Sequence, residues 1–294
     1  MIPFTSSISS RLLGKYNINI KDYKLNELIS TSANSNIYSV QDKKTHERYA
    51  AKIISYEKEN EEKIQMINRE IEIMAYLHHP TIIKFYGYSV KDFEGNDRVV
   101  ILMDLAIKGS LGNILSNIRK SRGDHDYDNT ARQIILVGIA RGMMLLHQLC
   151  IIHRDLKPDN VLIDEDFHPH ITDFGFSKKY EPGSFEPSKA CGTKIYMTPE
   201  VIKNEDYDIK SDVYSFGILM YEVLTDSFPY PIIAKENLSA FEFDKKIIYE
   251  ELRPEFNDSF KNKSLIKLTE SCWSTNPDER PSFDEIFFKL AYNS

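Results

Sequence analysis

Cysteine is scarce in this sequence, and long apolar runs and an excess of positive charge are missing. The cysteines, Cys150, Cys191 and Cys272, are three in number and widely spaced, which fits neither a disulfide framework nor a zinc site. The longest apolar runs, such as 99–103 and 134–137, are far shorter than the roughly 20 residues that cross a bilayer. We therefore expect a protein of a reducing, cytoplasmic compartment without a membrane span.

The charge and length of the chain narrow the function classes further. The formal net charge is −7, whereas nucleic acids and anionic membranes need clustered Lys and Arg for binding. We therefore expect no nucleic-acid partner. The 294 residues exceed the usual size of one hydrophobic core, so either one large domain or two lobes that share a cleft is expected.

The first third of the chain predicts a small β-sheet with one helix. Residues 1–22 have no clear period and predict a poorly ordered extension. Apolar residues at helical spacing predict a helix over 57–77. Short runs typical of strands, of which the last two predict a hairpin, occur at 24–29, 37–41, 48–54, 82–88 and 98–105.

Beyond Gly109 the pattern becomes helical. Apolar residues recur every three to four positions, as in a helix that buries one face. The sequence therefore predicts a β-rich region followed by an α-rich one. The predicted helices cover 110–120, 130–149, 211–224 and 264–272.

The strongest local signal is HRDLKPDN at 153–160, followed by the strand-like VLI and then by DFG at 173–175. In this order and spacing the motifs resemble those of the protein kinase superfamily. The resemblance implies a bilobal α+β fold with a kinase domain over 23–292. By this resemblance, the kinase domain consists of a β-rich N-lobe at about 23–104, a hinge at about 104–109 and a helical C-lobe at about 110–292.

The chemistry of phosphoryl transfer explains these residue types. By the resemblance, Asp155 is the base that accepts the proton of the attacking hydroxyl. Asn160 and Asp173 offer the oxygen ligands that Mg²⁺ prefers, and Lys157 holds the γ-phosphate. The lysine at 157 is typical of Ser/Thr kinases, with dual specificity as an open alternative. The expected cofactors are therefore ATP and Mg²⁺, and the expected substrates are proteins.

The resemblance also assigns an ATP site. Lys52, at the end of a strand pattern, is expected to contact the α- and β-phosphates, with Glu70 on the predicted helix as its partner and Glu72 as the alternative. Apolar side chains are expected around the adenine, with Met103 as gatekeeper. The remaining residues of this site are Ile29, Ile37, Ala50 and Leu162, with the backbone of Asp104, Leu105 and Ala106 at the hinge.

The activation segment is expected to begin with Asp173, Phe174 and Gly175 and to end at Glu200. Arg154 precedes the catalytic aspartate, and such an arginine can pair with a phosphate on this segment. Ser184, Ser188 and Thr193 are the candidate acceptors. Ser188 is the first choice by position, and Thr193 is expected to serve a hydrogen bond on the substrate side instead.

Two further residues are expected to be structural. Asp212, in SDVYSFG at 211–217, resembles the aspartate that accepts backbone hydrogen bonds from the catalytic loop. Arg280 resembles the arginine that pairs with Glu200. The surrounding residues Cys272, Trp273, Pro277 and 281–283 resemble the signature of tyrosine kinases and tyrosine-kinase-like families, which favours a tyrosine-kinase-like Ser/Thr kinase.

The pattern breaks at the phosphate loop. Kinases place G-x-G-x-x-G between the first two strands, whereas this chain has Ser30, Ser32 and Ser35 at the three glycine positions. If the loop needs positive φ there, each serine costs about 1–2 kcal/mol, so weaker or slower ATP use is expected. Two alternatives follow: a pseudokinase that acts as a nucleotide-binding scaffold or switch, and a small-molecule kinase of similar fold.

Overall fold

The computed structural model describes residues 14–32, 35–56, 60–121, 126–181, 191–258 and 260–292. Its contacts divide the chain into two compact units. The first contains the described residues up to Ile107 together with Asp173–Gly175, and the second contains Lys108–Thr172 and the described residues from Phe176 onward. The division falls within the predicted hinge.

An antiparallel sheet of five strands forms most of the first unit. The strands are β1 (Tyr23–Thr31), β2 (Ser35–Asp42), β3 (Arg48–Ile54), β4 (Phe85–Ser89) and β5 (Val99–Met103). They lie in the order β1-β2-β3-β5-β4. The predicted hairpin is formed by β4 and β5, which pair antiparallel, and β1 also pairs antiparallel with β2.

The alternation of side chains gives the two faces of this sheet different roles. Ile37, Lys52 and Ile101 lie opposite one another on β2, β3 and β5, so they share one face. The other face carries a buried apolar cluster that includes Val40, Ala51, Ile53, Val100 and Leu102. The charged Lys52 therefore lies on the face away from this cluster.

The segment Gly14–Asp22 differs from the expectation of a poorly ordered extension. The N–H of Ile18 donates to the carbonyl of Tyr88 at 2.9 Å, and the N–H of Tyr88 donates to the carbonyl of Tyr16 at 2.8 Å. Ile20 is buried in the apolar cluster of the sheet. The segment thus covers the edge of β4. The sequence did not predict this contact, because two isolated apolar residues, Ile18 and Ile20, form no periodic pattern.

One helix, α1 (Glu61–Tyr76), follows β3 in the first unit. Asn60 caps its N-terminus by accepting the N–H of Lys63 at 2.9 Å, and Glu61 and Glu62 in the first turn complement the helix dipole. Its apolar residues at helical spacing are buried, among them Ile64, Ile67, Ile71 and Met74. This burial puts Glu70, which is also buried, on an inward-facing side of the helix.

The second unit is mostly helical. The buried helix α5 runs through it, since every side chain from Ser211 to Val223 is buried. The short strands pair as β6 with β9 and β7 with β8. Its elements are α2 (Leu111–Arg119), α3 (Asn129–Gln148), β6 (Ile151–Ile152), β7 (Val161–Ile163), β8 (Pro169–Ile171), β9 (Lys178–Lys179), α4 (Pro199–Ile202), α5 (Lys210–Thr225), α6 (Ile232–Lys235), α7 (Ala240–Tyr249), α8 (Lys263–Cys272) and α9 (Phe283–Tyr292).

The prediction of an α+β chain with a β-rich part followed by a helical part is confirmed. The helices α2, α3, α5 and α8 lie where the apolar spacing predicts them. The sequence analysis did not predict α4, α6, α7 and α9. Among the described residues, no helix is both long enough and apolar enough to cross a membrane.

Candidate active site

Lys52 of β3 is held by two carboxylates. Its Nζ atom lies 2.5 Å from Oε1 of Glu70 on α1 and 3.0 Å from Oδ1 of Asp173. Both partners belong to the same compact unit as Lys52. Of the two glutamates considered from the sequence, Glu70 is the one that contacts the lysine.

The charges of this group depend on one another. Burial lowers the pKa of the Lys52 ammonium, but the neighbouring carboxylates of Glu70 and Asp173 more than offset this effect and raise the pKa above its usual value. The lysine therefore stays charged at neutral pH. The Asp173 side chain is 37% exposed, so this carboxylate also remains accessible to a ligand.

Lys63 is a residue near this group that the sequence analysis missed. It lies seven positions before Glu70 on α1 and is therefore on the same side of the helix. Burial lowers the pKa of its ammonium, and the charge of Lys52 lowers it further. The signal available in the sequence was the helical spacing from Lys63 to Glu70.

Three of the residues that are predicted to contact the nucleotide, Ile37, Ala50 and Met103, lie on the face of the sheet that carries Lys52. Ile37 is opposite Lys52, and Ala50 lies between Ser39 and Met103 in the register of the strands. Ala50 and Met103 are buried, whereas Ile29 in β1 is exposed. Leu162 belongs to β7 in the second unit.

The predicted hinge has backbone groups that are open to a ligand. The N–H of Asp104 donates to the carbonyl of Lys84 at 3.0 Å, and the Asp104 carboxylate accepts the hydroxyl of Tyr86 at 2.7 Å. Within the described parts of the chain, no hydrogen bond uses the backbone of Leu105 or Ala106. These amide groups could therefore pair with the edge of a purine base.

The three serines that replace the family's glycines are not strained. Ser30, Ser32 and Ser35 are all absent from the residues with positive φ. The expected cost of about 1–2 kcal/mol for each serine in a left-handed conformation therefore does not arise at these positions. The premise behind the expectation of weaker ATP use was wrong for these three residues.

In the second unit, Asp155 is surrounded by donors. Nζ of Lys157 lies 2.8 Å from Oδ2 of Asp155 and 2.7 Å from Oγ1 of Thr193. The N–H and the hydroxyl of Thr193 donate to Oδ1 of Asp155 at 2.8 and 2.9 Å. Asp155 is 5% exposed, so these contacts fix the direction of its carboxylate.

Asn160 ends the same loop, and its amide is oriented by Asp155. Its Nδ2 donates to the backbone carbonyl of Asp155 at 2.8 Å and to Oδ2 at 3.0 Å. Because the amide nitrogen is used in this way, Oδ1 is left as an acceptor for a metal ion.

Asp212 of α5 anchors the catalytic loop. Its carboxylate accepts the N–H of His153 at 2.8 Å and the N–H of Arg154 at 2.9 Å, and His147 Nε2 lies 3.0 Å from Oδ2. Burial alone would raise the pKa of this carboxyl, but the hydrogen bond with His147 and the other donors hold the pKa below its usual value. Asp212 is therefore ionised at neutral pH.

Gly192 lets the activation segment approach the catalytic loop closely. Its φ is +105°, and a Cβ atom at this position would lie 2.6 Å from the carbonyl oxygen of Arg154. Glycine is required here because a side chain would disfavour this positive φ and would clash with the Arg154 carbonyl. The close approach lets the next residue, Thr193, reach the carboxylate of Asp155.

Glu200 and Arg280 form a buried, two-pronged ion pair. Nη1 of Arg280 lies 2.6 Å from Oε1 of Glu200, and Nη2 lies 3.0 Å from Oε2. Arg280 also donates to the carbonyls of Ser274 and Lys210. The pair thus ties the end of the activation segment to the C-terminal part of the second unit.

The proposed phosphate-binding arginine already has partners. Arg154 donates to the carbonyl of Phe176 and to the hydroxyl of Tyr207. Ser184 and Ser188, the candidate acceptors, lie outside the described residues. Thr193 is described, and its hydroxyl contacts Asp155 and Lys157.

Comparison with known proteins agrees with this geometry. The family model described as "Protein kinase domain" matches residues 23–289. The chain belongs to the protein kinase family. Protein kinases in general bind ATP with Mg²⁺ and phosphorylate proteins.

The curated relatives are also protein kinases. A probable serine/threonine-protein kinase of Dictyostelium discoideum is 36% identical over 231 residues, which cover 78% of this chain and 16% of the relative. The kinase kinX of the same organism, named a probable serine/threonine-protein kinase, is 34% identical over 76% of this chain and 19% of its own length.

A third relative, the dual specificity protein kinase shkD of Dictyostelium discoideum, is 33% identical over 82% of this chain and 31% of its own length. The alignments with these three relatives therefore span less than a third of each relative. The similarity concerns their kinase domains, since the matched part of this chain is the kinase domain.

Proposed function

We propose that this chain is an active protein kinase domain that transfers the γ-phosphate of ATP to serine or threonine hydroxyls of protein substrates. The observation that carries the proposal is that the charged residues needed for transfer are each held by partners in their own unit. Lys52 is held by Glu70 and Asp173, and Asp155 is held by Lys157 and Thr193.

The first unit would bind the nucleotide. The ammonium of Lys52 would hold the α- and β-phosphates, and the backbone of Leu105 and Ala106 would pair with the adenine. The side-chain oxygens of Asp173 and Asn160 would be ligands for Mg²⁺, which would neutralise phosphate charge. The accessible Asp173 carboxylate and the orientation of the Asn160 amide both fit this role.

The second unit would provide the base and the substrate side. The hydroxyl oxygen of the substrate forms a bond to the γ-phosphorus, the bond to the bridging oxygen breaks, and ADP leaves. Asp155 orients the hydroxyl and takes its proton. Lys157 would stabilise the charge on the transferred phosphoryl group.

The substrate class is proposed from Lys157 and Thr193. Their contact at 2.7 Å places a cation and a hydroxyl beside the base, an arrangement that resembles Ser/Thr kinases. Dual specificity is the second candidate, favoured by the similarity to the dual specificity protein kinase shkD. A tyrosine-kinase-like group is proposed from the 272–283 signature, in which Arg280 pairs with Glu200.

Phosphoamino-acid analysis of a generic protein substrate would test the activity and its class. We expect phosphoserine and phosphothreonine from the wild type and at least about 100-fold less of both from Asp155→Asn. Phosphotyrosine at a comparable level would favour dual specificity. Equal labelling by wild type and Asp155→Asn would contradict the assignment of the base.

A cytoplasmic location is part of the same proposal. The cysteines, Cys150, Cys191 and Cys272, are odd in number and widely spaced in the sequence, which favours a reducing compartment over a disulfide framework. Fractionation of cells that express the chain would test this, and recovery in a secreted or membrane fraction would contradict it.

A further inference from the structure

Two serines, at the second and third glycine positions of the family loop, contact each other where β1 ends and β2 begins. The N–H of Ser32 donates to the carbonyl of Ser35 at 2.8 Å, and the N–H of Ser35 donates to Oγ of Ser32 at 3.2 Å. Oγ of Ser32 lies 2.9 Å from Oγ of Ser35 and 3.1 Å from its carbonyl oxygen. We call this pair the serine clasp.

The serine clasp lies on the Lys52 side of the sheet. Ser35 is opposite Ile54, and Ile37 is opposite Lys52, so Ser35 and Lys52 project from the same face. Ser30 is opposite Ile37 and completes a row across three strands with Lys52. The clasp is therefore two residue positions along the strand from the lysine that is proposed to hold phosphates.

Glycine could not form this clasp. Without hydroxyls at positions 32 and 35, only the bond from the N–H of Ser32 to the carbonyl of Ser35 would remain. Each lost hydrogen bond contributes about 1 kcal/mol, and less where it is exposed. Since neither serine has positive φ, the clasp forms without backbone strain.

We propose that the serine clasp holds Ser32 and Ser35 together on the Lys52 face before a nucleoside triphosphate binds, so that these two serines are positioning residues for its phosphates. The inference rests on the proposed nucleotide binding and deepens it. Residues whose mutual contacts are already formed lose less conformational entropy when a ligand binds. Serine in place of glycine then supplies contacts that glycine lacks.

Amide hydrogen exchange tests the clasp without any activity. Ser32→Ala removes every contact of the Ser32 hydroxyl and should raise the exchange rate of the amides at positions 32 and 35 by about 5-fold, the factor for a loss of about 1 kcal/mol. Ser35→Ala removes only the contact between the two hydroxyls and should raise the exchange rate less. The double variant should raise it little more than Ser32→Ala, because each of the side-chain contacts involves the Ser32 hydroxyl. Ser32→Thr, which keeps a hydroxyl, should restore protection.

Thr31→Ala is the matched control. Thr31 is opposite Asn36, on the other face of the sheet, and its hydroxyl makes no hydrogen bond within the described residues. The control should leave the exchange of the amides at 32 and 35 unchanged. A thermal unfolding scan of every variant shows that the fold is retained.

Binding of Mg–ATP, measured by calorimetry, tests the positioning role. Ser32→Ala, Ser35→Ala and the double glycine variant should raise the Kd for Mg–ATP by about 3- to 10-fold, with little change for the control. Equal or tighter binding by the double glycine variant would overturn the proposal.

The two measurements separate the possible failures. Unchanged exchange in the alanine variants would show that the clasp does not hold the two serines together. Faster exchange with an unchanged Kd would leave a structural contact and overturn the positioning role. A wild type that shows clasp protection but binds no Mg–ATP would overturn the proposed function and, with it, the role of the clasp in nucleotide binding.

Discussion

The loop of the second unit that carries the proposed base Asp155 is held by buried charges, whereas the β1–β2 pair of the first unit, with the proposed phosphate-binding serines, is held by exposed hydroxyls. Asp212 accepts two backbone N–H groups of the loop and is almost fully buried. The serine clasp, in contrast, involves only neighbouring residues where β1 ends and β2 begins. The contacts of Asp212 join residues that are far apart in the sequence, whereas those of the serine clasp join residues three positions apart.

This difference makes the two regions respond differently to substitution. A buried charge that loses its partner costs several kcal/mol, because the remaining charge is left in a poorly solvated place. An exposed hydrogen bond contributes about 1 kcal/mol or less.

Asp155→Asn should have the largest effect on activity. Because the amide cannot accept the substrate proton, we expect the transfer rate at saturating ATP to fall by about 10²- to 10⁴-fold. ATP binding should be retained, since the variant keeps the shape of the side chain. Asp159→Asn, in the same loop and exposed, is the control and should change the rate by less than about 3-fold.

Arg280→Ala should have the largest effect on stability. It leaves Glu200 buried without its cation, and we expect the free energy of unfolding to fall by about 3–5 kcal/mol in urea titrations. Lys91→Ala removes an exposed ion pair with Asp97 and should cost less than about 1 kcal/mol. Similar losses of unfolding free energy in the two variants would show that the buried ion pair stabilises the protein no more than the exposed one.

The pH dependence of stability should include a contribution from Asp212. Its pKa in the folded state lies below the ordinary value of 3.8, so its stabilising effect is present above that value and is lost as the pH falls through the folded-state pKa. Asp212→Asn should be less stable than the wild type near pH 6 and should lose less stability below about pH 4.

Urea unfolding of the two proteins from pH 6 to pH 3 would measure this difference. Asp258→Asn, at an exposed aspartate, is the control and should follow the wild-type curve. Parallel curves for wild type and Asp212→Asn would show that the Asp212 carboxylate does not contribute.

Gly87→Ala should have an intermediate effect on the edge of the first unit. The added Cβ would lie 2.6 Å from the carbonyl oxygen of Tyr16 and would also meet Ile18. We expect a loss of about 1–3 kcal/mol and faster amide exchange at Ile18 and Tyr88. Gly14→Ala, where a Cβ meets nothing within 4 Å, is the control.

Lys63→Met should have the smallest effect. The half-buried ammonium lies on the Glu70 side of α1 and adds positive charge near the proposed phosphate site, so we expect the Kd for Mg–ATP to rise by about 2- to 5-fold. Lys24→Met, at an exposed position of β1, should leave the Kd unchanged. An equal Kd for Mg–ATP in the Lys63 variant and the wild type would show that Lys63 does not contribute to phosphate binding, which would leave Lys52 as the contributing lysine of this pair.

The sequence predicted the elements whose pattern is local. The strands of the first unit, α1 and the long helices follow from alternation and helical spacing, and the placement of Lys52 at the end of a strand follows from its motif. The segment Gly14–Asp22 was not predicted, since its order depends on a distant strand edge. The same applies to Gly192, whose requirement arises from the close approach of Arg154.

Other features depend on backbone conformation that no residue type announces. Arg154 and Asp173 both have positive φ, at 68° and 64°, although neither is glycine. Such conformations persist only where surrounding contacts fix them, as Asp212 and Lys52 do here. Ser30, Ser32 and Ser35 differ from these two residues. The family's glycines led us to expect positive φ at the three serines, but none of them has it.

The most direct test of the account is transfer of labelled γ-phosphate from ATP to a generic protein substrate by wild type and Asp173→Ala, with ATP binding measured in parallel. The account predicts labelled protein with the wild type and a loss of label in the variant. Equal label from both proteins, or a wild type that binds ATP without labelling any protein, would contradict it.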